Sequence, residues 1–128
     1  MEIWDSAIVV AGAATGIGPA LCADLAHKGA RLGLVDLDRH AGVLLTRQLN
    51  GLNLCTFRHS DLSVPAEAIA AIRSLAAALE GIDAFVMVHP QGGSSWRTAA
   101  AEAVRHRRFP HKPVGVVSMS ARPTSEKW

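Results

Sequence analysis

The chain has 128 residues, 49% apolar and 19% charged, a balance that suits one compact domain and excludes intrinsic disorder. Thirteen basic against eleven acidic side chains leave a formal charge of +2, which excludes a polyanion-binding protein built on overall charge. The two cysteines lack metal-ligand spacing and every apolar stretch stops well short of the ~20 residues a membrane helix needs, so the expectation is a reduced, cytoplasmic protein with no membrane and no nucleic-acid partner.

The N-terminal "MEIWDS" lacks the basic and hydrophobic regions of a secretory signal. The apolar run Ala7 to Ala11 then reads as a strand buried on both faces. It stops in glycines, and a helix pattern resumes from Gly16 to His27, with Pro19 tolerated in the first turn and Gly29 past the end. Arg31 to Asp36 is a second strand, and Asp38 is placed to cap a second helix running through Gln48 towards Gly51. Asn53 to His59 is a third strand. The third helix has Ser63 as its N-cap, Pro65 in its first turn, Ile69, Ile72, Leu75, Ala76 and Leu79 along one face, and Gly81 at its close. Ile82 to His89 is a fourth strand. Ser95 to Arg108 is an alanine-rich fourth helix whose final arginines suit the helix dipole, and Val114 to Met119 is the fifth strand. Strands alternating with helices through right-handed crossovers predict an α/β fold. The expected architecture is a three-layer, doubly wound, Rossmann-like parallel sheet in the order 3-2-1-4-5, with two helices on each face and residues 1–128 in a single dinucleotide-binding domain.

In "AIVVAGAATGIGPAL", Gly12, Gly16 and Gly18 lie in a strand-to-helix turn at the switch point of such a sheet. Glycines there let the backbone approach a pyrophosphate, while the helix N-terminus offers unpaired N–H groups and a partial positive charge. The first gap is wider than in the usual dinucleotide fingerprint, and a turn used only for packing is the alternative. The second strand ends in "GLVDLD", where Asp36 follows the turn at close to the ~20-residue offset of an acid that bonds adenosine ribose hydroxyls. That favours NAD over NADP, since a 2′-phosphate would meet a carboxylate while Thr15 and Leu37 bring no positive charge; Arg39 is nearby. A strand-end acid or a helix cap is the other reading of Asp36, and Asp38 suits the cap equally.

"AGAATGIG", then "VDLD" and "HSDLS", resembles the short-chain dehydrogenase/reductase family over Ser6 to about Val88. The resemblance implies that Gly12, Thr15, Gly16, Ile17 and Gly18 line a diphosphate, that Asp36 and Leu37 meet the adenosine ribose, and that Asp61 and Leu62 meet the adenine. Asp61 also reads as a turn or capping acid before Ser63. Ala11 stands where the family usually has a threonine. The Asn-Asn-Ala-Gly that follows the family's fourth strand falls on Met87 to Pro90, or with a two-residue slip on His89 to Gly92, and neither register restores the asparagines. His89 could still border bound nucleotide or be part of a connecting turn.

In "VGVVSMSA", Ala121 takes the place of the family's active-site serine and Ser120 is one residue early. The family's Tyr-x-x-x-Lys has no counterpart, because these residues include no tyrosine. In that chemistry the tyrosine exchanges a proton with the substrate while hydride moves to or from the nicotinamide. Lys112, Lys127, His89 and His111 are the titratable alternatives near strand ends, and solvated or structural roles are their simpler readings. Arg105 to Lys112 is a basic segment that reads as a solvated helix end or a phosphate contact. The fifth strand would leave an apolar sheet edge, so a homo-oligomer is expected, with Trp96 or Trp128 as anchors. Three functions stay open: an NAD(H)-binding protein that is catalytically incomplete, a divergent oxidoreductase on an alcohol or ketone completed by oligomerisation, and an interaction module without ligand.

Overall fold

Apolar side chains on both sides of each central strand force the sheet into the middle of the molecule. β1 (Ala7–Ala11) and β2 (Arg31–Asp36) are buried along their whole length, β1 as its continuous apolar sequence requires and β2 with the charged Arg31 and Asp36 at its two ends. β3 (Cys55–His59), β4 (Ala84–Val88) and β5 (Gly115–Met119) complete one parallel sheet in the order β3-β2-β1-β4-β5. The structure is a computed structural model that describes residues 3–88, residue 101 and the backbone of residues 115–119.

Alternation along β1 decides which core each residue joins. Ile8 and Val10 pack with Leu32 and Leu34 beneath α1 (Gly18–His27) and α2 (Arg39–Leu49), where Cys22, Leu25, Leu45 and Leu49 close that layer. Val9, Val35 and Phe85 pack on the other side against Ala68, Ile72 and Leu75 of α3 (Pro65–Ala78). Full burial of each large aliphatic side chain contributes roughly 1.5–3 kcal/mol, so these two layers hold the sheet between its helices. At the amino ends of the strands, Ala7 N–H donates to Asp83 Oδ2 at 2.8 Å and the Arg31 guanidinium donates to the Leu79 carbonyl at 2.7 Å. Those buried polar contacts lie at the opposite end of the sheet from the glycine turn.

The expected order and the spans of β1 and β2 agree with the structure. β3 begins at Cys55 rather than Asn53, because Asn53 Nδ2 donates to the Gly29 carbonyl at 2.8 Å and its Oδ1 accepts from Leu54 N–H at 2.8 Å, which turns the chain before pairing starts. α1 begins at Gly18 rather than Gly16, since Gly16, at a φ of +58°, belongs to the turn. Ser63 is not the cap of α3: its hydroxyl and its N–H are both given to Asp61 Oδ1, and Val64 stands at the N-cap without a side-chain bond. Gly81, at a φ of +105°, closes α3 as expected, its N–H on the Ala76 carbonyl at 2.7 Å. Of the expected fourth helix only Ala101 is described, in helical conformation; the rest of Ser95 to Arg108, with Trp96, lies outside the described residues, as do Lys112, His111, Ser120, Ala121, Lys127 and Trp128.

Candidate functional site

The turn after β1 is shaped by what its glycines leave out. Gly12 has a φ of +78°, in the left-handed region, and a Cβ there would run into the Val88 carbonyl at the end of β4. Its N–H donates to the Val35 carbonyl at 2.8 Å, which ties the turn to β2. A Cβ on Gly18 would strike the carbonyls of Gly12 and Ala13, so only glycine lets α1 start directly on the turn. α1 has no side-chain cap on its first turn and carries Pro19 there, so the positive end of its dipole is left to whatever lies in front of it.

Asp36 and Asp38, interchangeable by spacing, do different work. The Asp36 carboxylate, in a residue 7% exposed, accepts from Ala14 N–H at Oδ2 and from Asp38 N–H at Oδ1, both at 2.9 Å. It therefore joins the glycine turn to the loop after β2. Asp38 is the helix cap, accepting from Ala41 N–H at 3.0 Å. These bonds use two of the roughly four acceptor positions of the Asp36 carboxylate.

Past β3, Asp61 Oδ1 accepts the Ser63 hydroxyl at 2.6 Å and the Ser63 N–H at 3.0 Å, and these bonds hold its carboxyl below the usual carboxylate range. Its own N–H donates to Glu67 Oε1 at 3.1 Å. The turn-acid reading of Asp61 is thus what its hydrogen bonds carry out, and they leave it at the rim of a cleft. Leu62 packs partly against the α3-side core.

That cleft, with about 510 Å³ of empty space partly open to solvent, lies at the carboxyl ends of the strands. Gly12, Thr15, Asp36, Leu37, Asp61 and Leu62 all line it. Gly16, Ile17 and Gly18 do not; they build the entry to α1, with Gly18 buried and Ile17 exposed. His89 lies outside the described residues. Val35, Ser60, Ser63, Met87 and Val88 also line the cleft and were not read from sequence as contacts. Met87 and Val88 could have been found from their place at the end of a central strand. The Ala14 N–H could not, because a backbone donor leaves no signature in residue type. Among the described residues no group of three or more His, Cys, Asp or Glu is arranged to hold a metal ion.

Residues 6–107 match the family model described as short chain dehydrogenase. Similar folds occur in the Pseudomonas aeruginosa RhlG/NADP active-site complex, at a TM-score of 0.77 and 19% identity over 90% of this chain and 54% of that one. A short-chain type dehydrogenase/reductase from Mycobacterium marinum aligns at a TM-score of 0.72 and 17% identity, over 80% of this chain and 51% of its own. NAD+-bound xylitol dehydrogenase aligns at 0.72 and 16%, over 92% and 54%. At such identities the likeness is one of fold, and this chain spans about half the length of these solved relatives. No curated protein matches by sequence. A family match that starts just before β1 and runs beyond β4, on a sheet wound in this order, makes the chain a member of the short-chain dehydrogenase family.

Proposed function

We propose that the chain binds a nicotinamide dinucleotide, NAD(H) in preference to NADP(H), and that these residues supply the cofactor-holding part of a dehydrogenase without the family's proton-transferring tyrosine, since they contain none. The observation that carries the reading is the bond from Ala14 N–H to Asp36: it puts a ribose-type acceptor and the glycine turn at fixed distance beside one cleft. Two of the solved relatives are described with NADP and with NAD+.

The residues fit such a ligand. The turn approaches without side-chain bulk at Gly12, and the uncapped start of α1 favours a diphosphate in front of it. Gly16, Ile17 and Gly18 position that helix end, and Thr15 adds a hydroxyl. Asp36 accepts from ribose hydroxyls, Leu37 covers the ribose, and Asp61 and Leu62 border the adenine. His89, next in sequence after Val88, is proposed as a further residue bordering the nucleotide. A bound nicotinamide supplies two-electron redox chemistry. A 2′-phosphate would bring a second anion against Asp36, and the nearby Arg39 is engaged with His59.

Calorimetric titration with NADH and NADPH tests this. NADH binds saturably and more tightly than NADPH, and Asp36→Ala weakens it by about tenfold or more, the loss expected when a charged acceptor is removed. Gly16→Trp also weakens it, with folding checked by circular dichroism. No heat at millimolar NADH overturns the reading. We further propose that the protein is cytoplasmic and self-associating, with β5, at one end of the strand order among the described residues, as the pairing edge. Light scattering at micromolar concentration then gives a mass above that of one chain, and a monodisperse monomer counts against it. Among the described residues no helix is long and apolar enough to cross a membrane.

A further inference from the structure

The register of β2 against β3 pairs Asp36 with His59, so the acid that faces the ribose in the reading above has a histidine at the paired position of the next strand. The ring is engaged at both nitrogens. Nε2 lies 2.9 Å from the Leu37 carbonyl, and Nδ1 lies 3.4 Å from a guanidinium nitrogen of Arg39. A carbonyl only accepts and a guanidinium only donates, so the two partners together select one form of the ring, neutral with its proton on Nε2. In that form His59 fixes the Leu37 peptide, which lines the cleft, and draws Arg39 towards β3.

Asp38, Arg58, Asp61 and Glu67, also at this corner, have partners of their own. Asp38 caps α2 through Ala41 N–H, and Arg58 is turned to the α3 side, with Nε on Ser74 Oγ at 2.7 Å. Asp61 is held by Ser63, and Glu67, on the first turn of α3, accepts from Asp61 N–H. His40 is exposed on the first turn of α2. Asp36 and Arg39 are therefore the charges that a change of state at His59 acts on.

We infer that His59 is a positioning residue that sets adenosine specificity: neutral, it withholds Arg39 and keeps a plain 2′-hydroxyl favoured; protonated, it releases Arg39 to a 2′-phosphate. The inference rests on the dinucleotide reading of this cleft. Protonation places a hydrogen on Nδ1, which then cannot accept from the guanidinium and repels it. The same proton adds a positive charge at the strand position paired with Asp36, which opposes that carboxylate's repulsion of phosphate. Both effects act in one direction. His59 is exposed, which keeps the effect moderate.

The test titrates the 128-residue chain, His59→Gln and Arg39→Ala with NADH and with NADPH between about pH 8 and about pH 5.5, a span that brackets histidine titration. Glutamine keeps a donor for the Leu37 carbonyl but does not titrate. Protonation of the 2′-phosphate itself is common to all three proteins and cancels in the comparison. On acidification the NADPH-to-NADH affinity ratio of the unsubstituted chain rises about two- to fivefold more than that of His59→Gln, the scale of one exposed charge contact. Arg39→Ala reduces that excess. If NADH binds but the ratio moves equally in the unsubstituted chain and His59→Gln, the inference fails while the dinucleotide reading stands. An undiminished excess in Arg39→Ala also overturns the role given to Arg39. If neither nucleotide binds the unsubstituted chain, the inference falls together with the dinucleotide reading.

Discussion

Asp36 shows how one side chain serves local structure and a ligand at once. Each of its oxygens accepts a backbone N–H, from Ala14 and from Asp38, in a nearly buried setting. Asp36→Asn turns one acceptor into an amide that must face an N–H donor, and the unmatched pair costs about 1–3 kcal/mol. Urea unfolding measures this as a lower midpoint without a change in slope. The carboxylate was legible from its offset after the glycine turn, but its use as a clamp was not, since both partners are main-chain groups. Asp61 differs in kind: half-buried, and bound to Ser63 two residues on, its arrangement follows from local sequence alone.

At the scale of elements, α2 lies on β3 through a glycine. A Cβ on Gly42 would clash with the edge of the Phe57 ring at Cε1 and Cζ, so the helix sits flush on that side chain. Helix propensity alone favours Gly42→Ala by about 0.8–1 kcal/mol. Overpacking against an aromatic ring costs roughly 1–3 kcal/mol, so the variant is expected to be no more stable than the parent and typically less. A rise in the urea midpoint contradicts this packing account. Periodicity located α2 and α3 well, and Asp38 correctly marks the start of α2. It misplaced the cap of α3 by one residue: the helix enters through Val64, and Ser63, one position earlier, belongs to the turn with Asp61.

Across the whole molecule, the layer between the sheet and its first two helices holds both cysteines, buried and unpaired by any disulfide. Burial pushes the Cys22 thiol up to about 12, with a smaller contribution from Cys55, and pushes the Cys55 thiol up to about 11. A raised folded-state pKa means that the native chain keeps protons which the unfolded chain gives up from about pH 9. Stability is therefore unaffected by these groups below about pH 9 and falls as pH rises towards 11 and 12. Urea midpoints measured across that alkaline range check the sign, and Cys22→Ala with Cys55→Ala lessens the slope. At about pH 8 a thiol reagent reacts at the rate of unfolding rather than at that of a free thiol, because neither sulfur is reached without opening the layer.

The sequence by itself determined the alternation of strands and helices, the glycine turn, the acid beyond it and the lack of tyrosine, because hydrophobic period, φ requirements and composition are local properties of the chain. It also carried the strand order, since short right-handed crossovers leave few ways to wind five parallel strands. The tertiary structure alone decided which of two neighbouring acids caps a helix and which clamps the turn, that Ala14 supplies the clamp's donor, and that His59 stands against Asp36. These are consequences of register between distant segments, where a shift of one residue would turn a side chain to the opposite face, and no spacing along the chain encodes that.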